Sequence, residues 1–169
     1  GASHLADKAL DILKDAARSS QAGSSEEFLQ EMARLAGELI KCRPTMVPIG
    51  NLVSRFLDRI QEYGGDSAGL DSIRSFSLAA VGKIKAEFQQ ARVKAIAAGA
   101  GLIAAGDTII TASYSSTVAE AMTQARKAGK WFKVLAARSQ TRSGAVAYGE
   151  RMAAALAGCG VECLLFDDE

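Results

Sequence analysis

Histidine is almost missing from this 169-residue chain. The single one, His4, sits in a Gly-Ala-Ser-His start of the kind an expression scar leaves. A histidine-dependent triad and a histidine-rich metal centre are thereby excluded. Cysteine is sparse as well. Cys42, Cys159 and Cys163 make an odd set without a secretory signal, which points to reduced thiols. Cys159 and Cys163 have C-x-x-x-C spacing, but no second pair or nearby histidine completes a tetrahedral zinc site, so they read as small apolar residues flanking a helix-to-strand turn. Charge of one sign is lacking: 20 Lys and Arg stand against 19 Asp and Glu. That balance argues against direct nucleic-acid binding and against a polyacidic tail. No apolar run reaches the roughly 18 residues that span a bilayer, and no signal peptide opens the chain. The expectation is a soluble cytoplasmic protein without a membrane partner.

Glycine-rich phosphate fingerprints are absent too. Neither G-x-G-x-x-G after a strand nor G-x-x-x-x-G-K-[ST] occurs, and Gly99-Ala100-Gly101 precedes the first strand. Dinucleotide binding and P-loop hydrolysis are poor fits, and no cofactor or metal is expected.

What is present changes character along the chain. Leu5 to Arg18 is a short amphipathic pattern, and Ser24 or Ser25 can cap a second helix that runs to Lys41. Arg43-Pro44-Thr45 interrupts, Ile49 to Tyr63 resumes the helical period, and Gly64-Gly65 stops it. An alanine-rich helix follows from about Leu70 to Ala98, its end loosened by Gly99 and Gly101. Beyond it, Asp107–Ala112, Trp131–Ala136 and Val161–Phe166 read as strands separated by helices over Ser115–Gly129 and Gly144–Gly158. The fold class is α/β: an all-helical layer over 1–104, then a truncated Rossmann-like three-stranded parallel sheet (βαβαβ) over 105–169. The sequence stops directly after the third strand. The sheet edges then need cover from the helical layer or an oligomer partner, or the chain is a truncated piece of a longer one.

In open α/β sheets, ligands bind beyond the carboxyl ends of the strands, near helix N-termini. The first such loop here offers Ser113, Ser115, Ser116 and Thr117, whose hydroxyls suit a phosphate and equally serve as ordinary N-caps. The second carries Arg138 and Arg142 beside Ser139, Thr141 and Ser143, a pair that can clamp a phosphate or simply pair with surface carboxylates. Asp167 closes the third strand and is either a sugar-hydroxyl acceptor or a solvated end. Arg43, in the break between two helices, is a further candidate anion contact, or packs its stem on apolar surface. No catalytic residue is assigned.

These blocks carry a resemblance. Arg43-Pro44-Thr45 through Asn51 resembles the R-P-T-x-V-x-x-x-N segment of the alpha/beta/delta subunit family of translation initiation factor 2B. Gly106-Asp107-Thr108-Ile109-Ile110-Thr111-Ala112-Ser113-Tyr114-Ser115-Ser116-Thr117-Val118 is similar to its G-D-x-I-x-T-H-S-Y-S-S-T-V block, and Lys130-Trp131-Phe132-Lys133-Val134 to its K-x-F-x-V strand. Order and spacing agree from about Glu26 to Asp167. The resemblance implies a helical domain before a Rossmann-like domain, assembly with itself or related subunits, and descent from a phosphorylated-ligand binder. The family holds regulatory subunits of a guanine-nucleotide exchange factor, whose partner is a translational GTPase. It also holds isomerases of ribose 1,5-bisphosphate and methylthioribose 1-phosphate.

The departures favour the regulatory branch. Family isomerases carry a cysteine where this chain has Ser113, working with a later aspartate in a G-A-D stretch that this sequence lacks. A serine hydroxyl is a far weaker acid than a thiol. Ala112 replaces the histidine of T-H-S. The E-S-R-P turn has become Arg138-Ser139-Gln140-Thr141, with Arg142 the candidate to replace its arginine. The expectation is a non-catalytic subunit acting through protein partners, with a site for a phosphorylated sugar or nucleotide. An isomerase incomplete in this chain is the alternative.

Overall fold

Apolar residues at three- and four-residue steps build a chain that is helical through its first hundred residues. A computed structural model describes residues 1–64, 68–141 and 146–167. Its contacts divide into two units, Gly1–Gln89 and Gln90–Glu169.

In the first unit, α1 (Ala2–Ser19), α2 (Ser25–Cys42) and α3 (Val47–Tyr63) pack against one another and join the first part of α4 (Leu70–Leu102) around a shared core. The Ser24 side chain caps α2 by accepting the Glu27 N–H at 3.1 Å, while the Glu27 carboxylate accepts the Gly23 N–H at 2.8 Å. Arg43 ends α2, and Pro48 opens α3 within its first turn, where its missing N–H is harmless. Leu10, Leu13, Phe28, Met32, Phe56, Ile60, Ile73 and Ile84 are fully buried. Each contributes about 1.5–3 kcal/mol of burial free energy. Arg74 of α4 donates to the Ser20 and Ala22 carbonyls at 3.0 Å each, tying down the α1–α2 turn. Lys85 binds Asp7 at 3.1 Å and Asp11 at 2.7 Å on α1.

α4 continues past Gly99 and Gly101 to Leu102, four residues beyond the sequence expectation. Two contacts hold its end. A Cβ on Gly99 would stand only 3.2 Å from that of Ala121, so glycine permits close approach. The Lys130 ammonium donates to the Ala100, Gly101 and Ile103 carbonyls at 2.8, 3.4 and 2.6 Å, satisfying acceptors that a helix end leaves open.

The second unit alternates β1 (Thr108–Thr111), α5 (Ser116–Lys127), β2 (Lys133–Ala137), α6 (Tyr148–Ala157) and β3 (Glu162–Phe166). The strands pair in parallel in the order β1-β2-β3. β2 starts two residues later than Trp131 because the ladder opens with Thr108 opposite Lys133. Phe132 is buried ahead of it, whereas Trp131 is 70% exposed with the Arg126 guanidinium 4.3 Å over its ring. α6 starts at Tyr148. Gly149 lies so close to the end of β2 that a Cβ would fall 2.2 Å from the Ala137 carbonyl oxygen.

Register assigns the two faces of the sheet. Ile109, Val134 and Cys163 stand in one row and Thr111, Ala136 and Leu165 in another, on the face where Met122 of α5 and Met152 and Leu156 of α6 pack. Both crossover helices therefore cover the same side. On the opposite side Ile110, Leu135 and Leu164 form a cross-strand row, with Ile110 71% and Leu164 51% exposed. Among the described residues, no helix is long and apolar enough to cross a membrane.

Candidate functional site

The carboxyl ends of the strands bring two of the sequence-selected loops together. Ser113 and Ser139, each two residues after its strand (β1 and β2), have φ +65 and +47. Left-handed backbone costs a non-glycine residue about 1–2 kcal/mol, so the surroundings must hold both in place. One contact links the two: the Ser113 N–H donates to the Ser139 hydroxyl at 3.0 Å. Sequence pattern alone does not single out Ser139. Its signal was only its place in a hydroxyl-rich loop.

Ser115 is the N-cap of α5, its side chain accepting the Val118 N–H at 3.4 Å. Ser116 and Thr117 form the first turn and are half-buried, while Ser113 and Ser115 are exposed. This end of α5 directs backbone N–H groups and the positive pole of the helix toward the loop. Tyr114 packs against the core beneath the sheet, and the Arg151 guanidinium of α6 lies 4.4 Å from its ring centroid. Arg151 carries no motif in the sequence and becomes visible only when α6 crosses behind the first loop.

Arg138 continues the β2–β3 ladder, its N–H donating to the Phe166 carbonyl at 2.9 Å. Its guanidinium meets two carboxylates: Nε lies 2.8 Å from Asp167 and Nη1 3.3 Å from Glu150. An incoming anion thus has to compete with both. Arg142, Ser143 and Gly144 lie outside the described residues. Arg43 belongs to the helical unit, exposed at the end of α2, with its N–H on the Ile40 carbonyl at 3.3 Å and its own carbonyl accepting the Met46 N–H at 2.9 Å.

The thiols lie elsewhere. Cys159 Sγ is 3.2 Å from the Thr123 hydroxyl in the turn before β3, and burial pushes the Cys163 thiol above its ordinary pKa. Among the described residues, no three or more His, Cys, Asp or Glu side chains cluster as metal ligands would.

The sequence and fold have known counterparts. A ribose 1,5-bisphosphate isomerase from Thermococcus kodakarensis is 28% identical over 142 residues, 84% of this chain and 44% of that protein. The crystal structure of the Pyrococcus horikoshii translation initiation factor eIF-2B superposes with a TM-score of 0.80 at 26% identity, covering 99% of this chain and 54% of that one. The tetrameric eIF2B-beta2-delta2 complex from C. thermophilum has the same fold, with a TM-score of 0.78 at 19% identity over 97% of this chain and 54% of its own. The chain thus spans about half the length of the relatives it matches. The sequence model of one family covers both units without a break, over residues 1–169, and the chain belongs to that family, the Initiation factor 2 subunit family.

Proposed function

We propose that the chain is a non-catalytic subunit of its family, holding a phosphorylated sugar or nucleotide at the strand ends and acting through protein partners. The observation that carries this reading is the setting of Ser113. It stands where the resembling isomerases have a cysteine, and among the described residues its hydroxyl has no histidine or carboxylate bonded to it to serve as a base. Two carboxylates of this region, Asp167 after β3 and Glu150 in the first turn of α6, are engaged by Arg138. A nucleophile or acid–base group needs a positioned proton partner, and among the described residues Ser113 has none.

Phosphate would sit at the start of α5, against Ser115, Ser116 and Thr117, with Ser113 beside it. Arg138 would exchange a carboxylate for the ligand, and Arg142 and Arg43 are the further cations proposed for it. Related subunits, a second copy of this chain or a translational GTPase are the partners proposed, in keeping with one structural neighbour being a tetrameric complex of two kinds of subunit.

Calorimetric titration with ribose 1,5-bisphosphate, methylthioribose 1-phosphate and AMP tests the reading. Saturable binding without turnover is expected, weakened by about 1.5–3 kcal/mol in Arg138→Ala, the value of a charge-assisted hydrogen bond. Measurable isomerisation of either sugar phosphate overturns it. That outcome would favour a second reading, an isomerase completed by residues from elsewhere, which the likeness to the Thermococcus enzyme supports.

A further inference from the structure

The helical unit carries a surface whose charges do not close. Glu87 of α4 accepts from Arg59 on both carboxylate oxygens, at 3.0 and 2.9 Å, and from Arg55 on one, at 2.6 Å. Desolvation pushes the Glu87 carboxyl upward, but the Arg59 hydrogen bond and the charges of Arg59, Arg55 and Lys83 outweigh it and hold it below the usual carboxylate range. Lys83 lies one turn before Glu87 and forms no ion pair among the described residues. Three cations thus share one carboxylate. The other acids on this side of α3, Asp58 and Glu62, are exposed and pair with none of the three. Nη1 of Arg59 is buried with no hydrogen-bond partner, and a charged donor left unmatched is costly.

Apolar hollows flank this cluster along the α3–α4 seam. One of about 260 Å³ has Phe76, Ala79 and Ala80 behind Arg59 and Lys83. The other, of about 470 Å³, is lined by Pro48, Leu52 and Phe88 beside Arg55. From Pro48 to Tyr63 the seam runs for about 22 Å at 1.5 Å per helical residue, a match for about four turns of a docked helix.

We propose that the α3–α4 seam is a docking groove for an acidic amphipathic segment of a partner protein, which sets a carboxylate against Arg59 and Lys83 between apolar side chains in the two hollows. Charge complementarity selects this occupant. An uncharged segment would leave the excess cations unanswered, and a segment with basic groups would be repelled. The proposal gives the protein-partner reading a chemistry while using none of its strand-end residues, so a failed sugar-phosphate titration does not touch it.

The test is fluorescence anisotropy of a labelled leucine–glutamate amphipathic peptide about 15 residues long, the length of the seam. Lys83→Gln breaks no ion pair and keeps the fold, so it decides the outcome, with Arg59→Gln as the companion. Each variant should weaken the peptide about tenfold, as loss of one charge-assisted contact does. Arg34→Gln removes the same charge from an exposed pair on α2 and should change affinity less than about twofold. No binding, equal loss in all three variants, or equal binding of a peptide with glutamine for glutamate overturns the proposal. So does self-association of the chain that Lys83→Gln abolishes in the absence of peptide binding, which assigns the seam to a second copy.

Discussion

The two units solve burial differently. The helical unit fills its interior with large side chains, Phe28, Phe56, Met32 and several leucines and isoleucines, and braces the outside with ion pairs between helices, Lys85 to Asp7 and Asp11, and Arg55 and Arg59 to Glu87. The α/β unit packs alanines and methionines on one side of a three-stranded sheet and leaves apolar residues uncovered on the other. Parallel sheets are ordinarily buried on both faces, because their crossover helices cover them. The contrast teaches that one unit buries its large side chains between its own helices, while the other carries a sheet face that, among the described residues, its own helices do not reach.

The sharpest way to break the comparison is to empty the closed core. Phe56→Ala should cost about 3–5 kcal/mol through lost burial and a cavity. Trp131, the one tryptophan, lies in the α/β unit, so its fluorescence follows that unit while far-ultraviolet dichroism is dominated by helix. In a urea titration the dichroism midpoint should fall well below that of wild type and the fluorescence midpoint much less. If both move together, the two units unfold as one.

A smaller effect comes from the braces. The Lys85 hydrogen bond lowers the Asp11 pKa, against desolvation that raises it. Because the folded value lies below the unfolded one, this stabilisation is present above the ordinary carboxylate pKa and lost as pH falls through the lowered value. For Lys85, desolvation lowers the pKa, but its bonds to Asp11 and Asp7 outweigh that and raise it. Its contribution is complete below the ordinary lysine value and lost as pH rises through the raised one. Asp11 is 39% exposed, so the pair is worth only about 0.5–1 kcal/mol after screening. The stability difference between wild type and Asp11→Asn, measured by urea titration, should stay flat through neutral pH and vanish in acid.

The smallest effect is expected on the uncovered face. Leu164→Lys should change stability by less than about 0.5 kcal/mol, as exposed substitutions do. A loss of several kcal/mol on thermal unfolding would show that this face is already packed in solution.

Much of this was legible from local pattern. The serine cap of α2, the β-branched run that becomes β1 and the serine-rich loop entering α5 each depend on neighbours a few residues away. What could not be read depends on residues distant in sequence. The continuation of α4 to Leu102 rests on Lys130, whose side chain returns to carbonyls almost thirty residues earlier. The sequence offers Arg138 with Arg142 as a clamp or as partners of surface carboxylates, but not which carboxylates face Arg138, because Glu150 comes from α6 and Asp167 from the end of β3. The shared strain of Ser113 and Ser139 was equally hidden, since a hydroxyl-rich loop does not announce a left-handed residue.

Among the described residues, the row of Ile110, Leu135 and Leu164 leaves apolar area in water. A surface that came to lie on it would bind the folded unit and not the unfolded one, so the apparent stability of the α/β unit would rise with the concentration of that surface, by mass action.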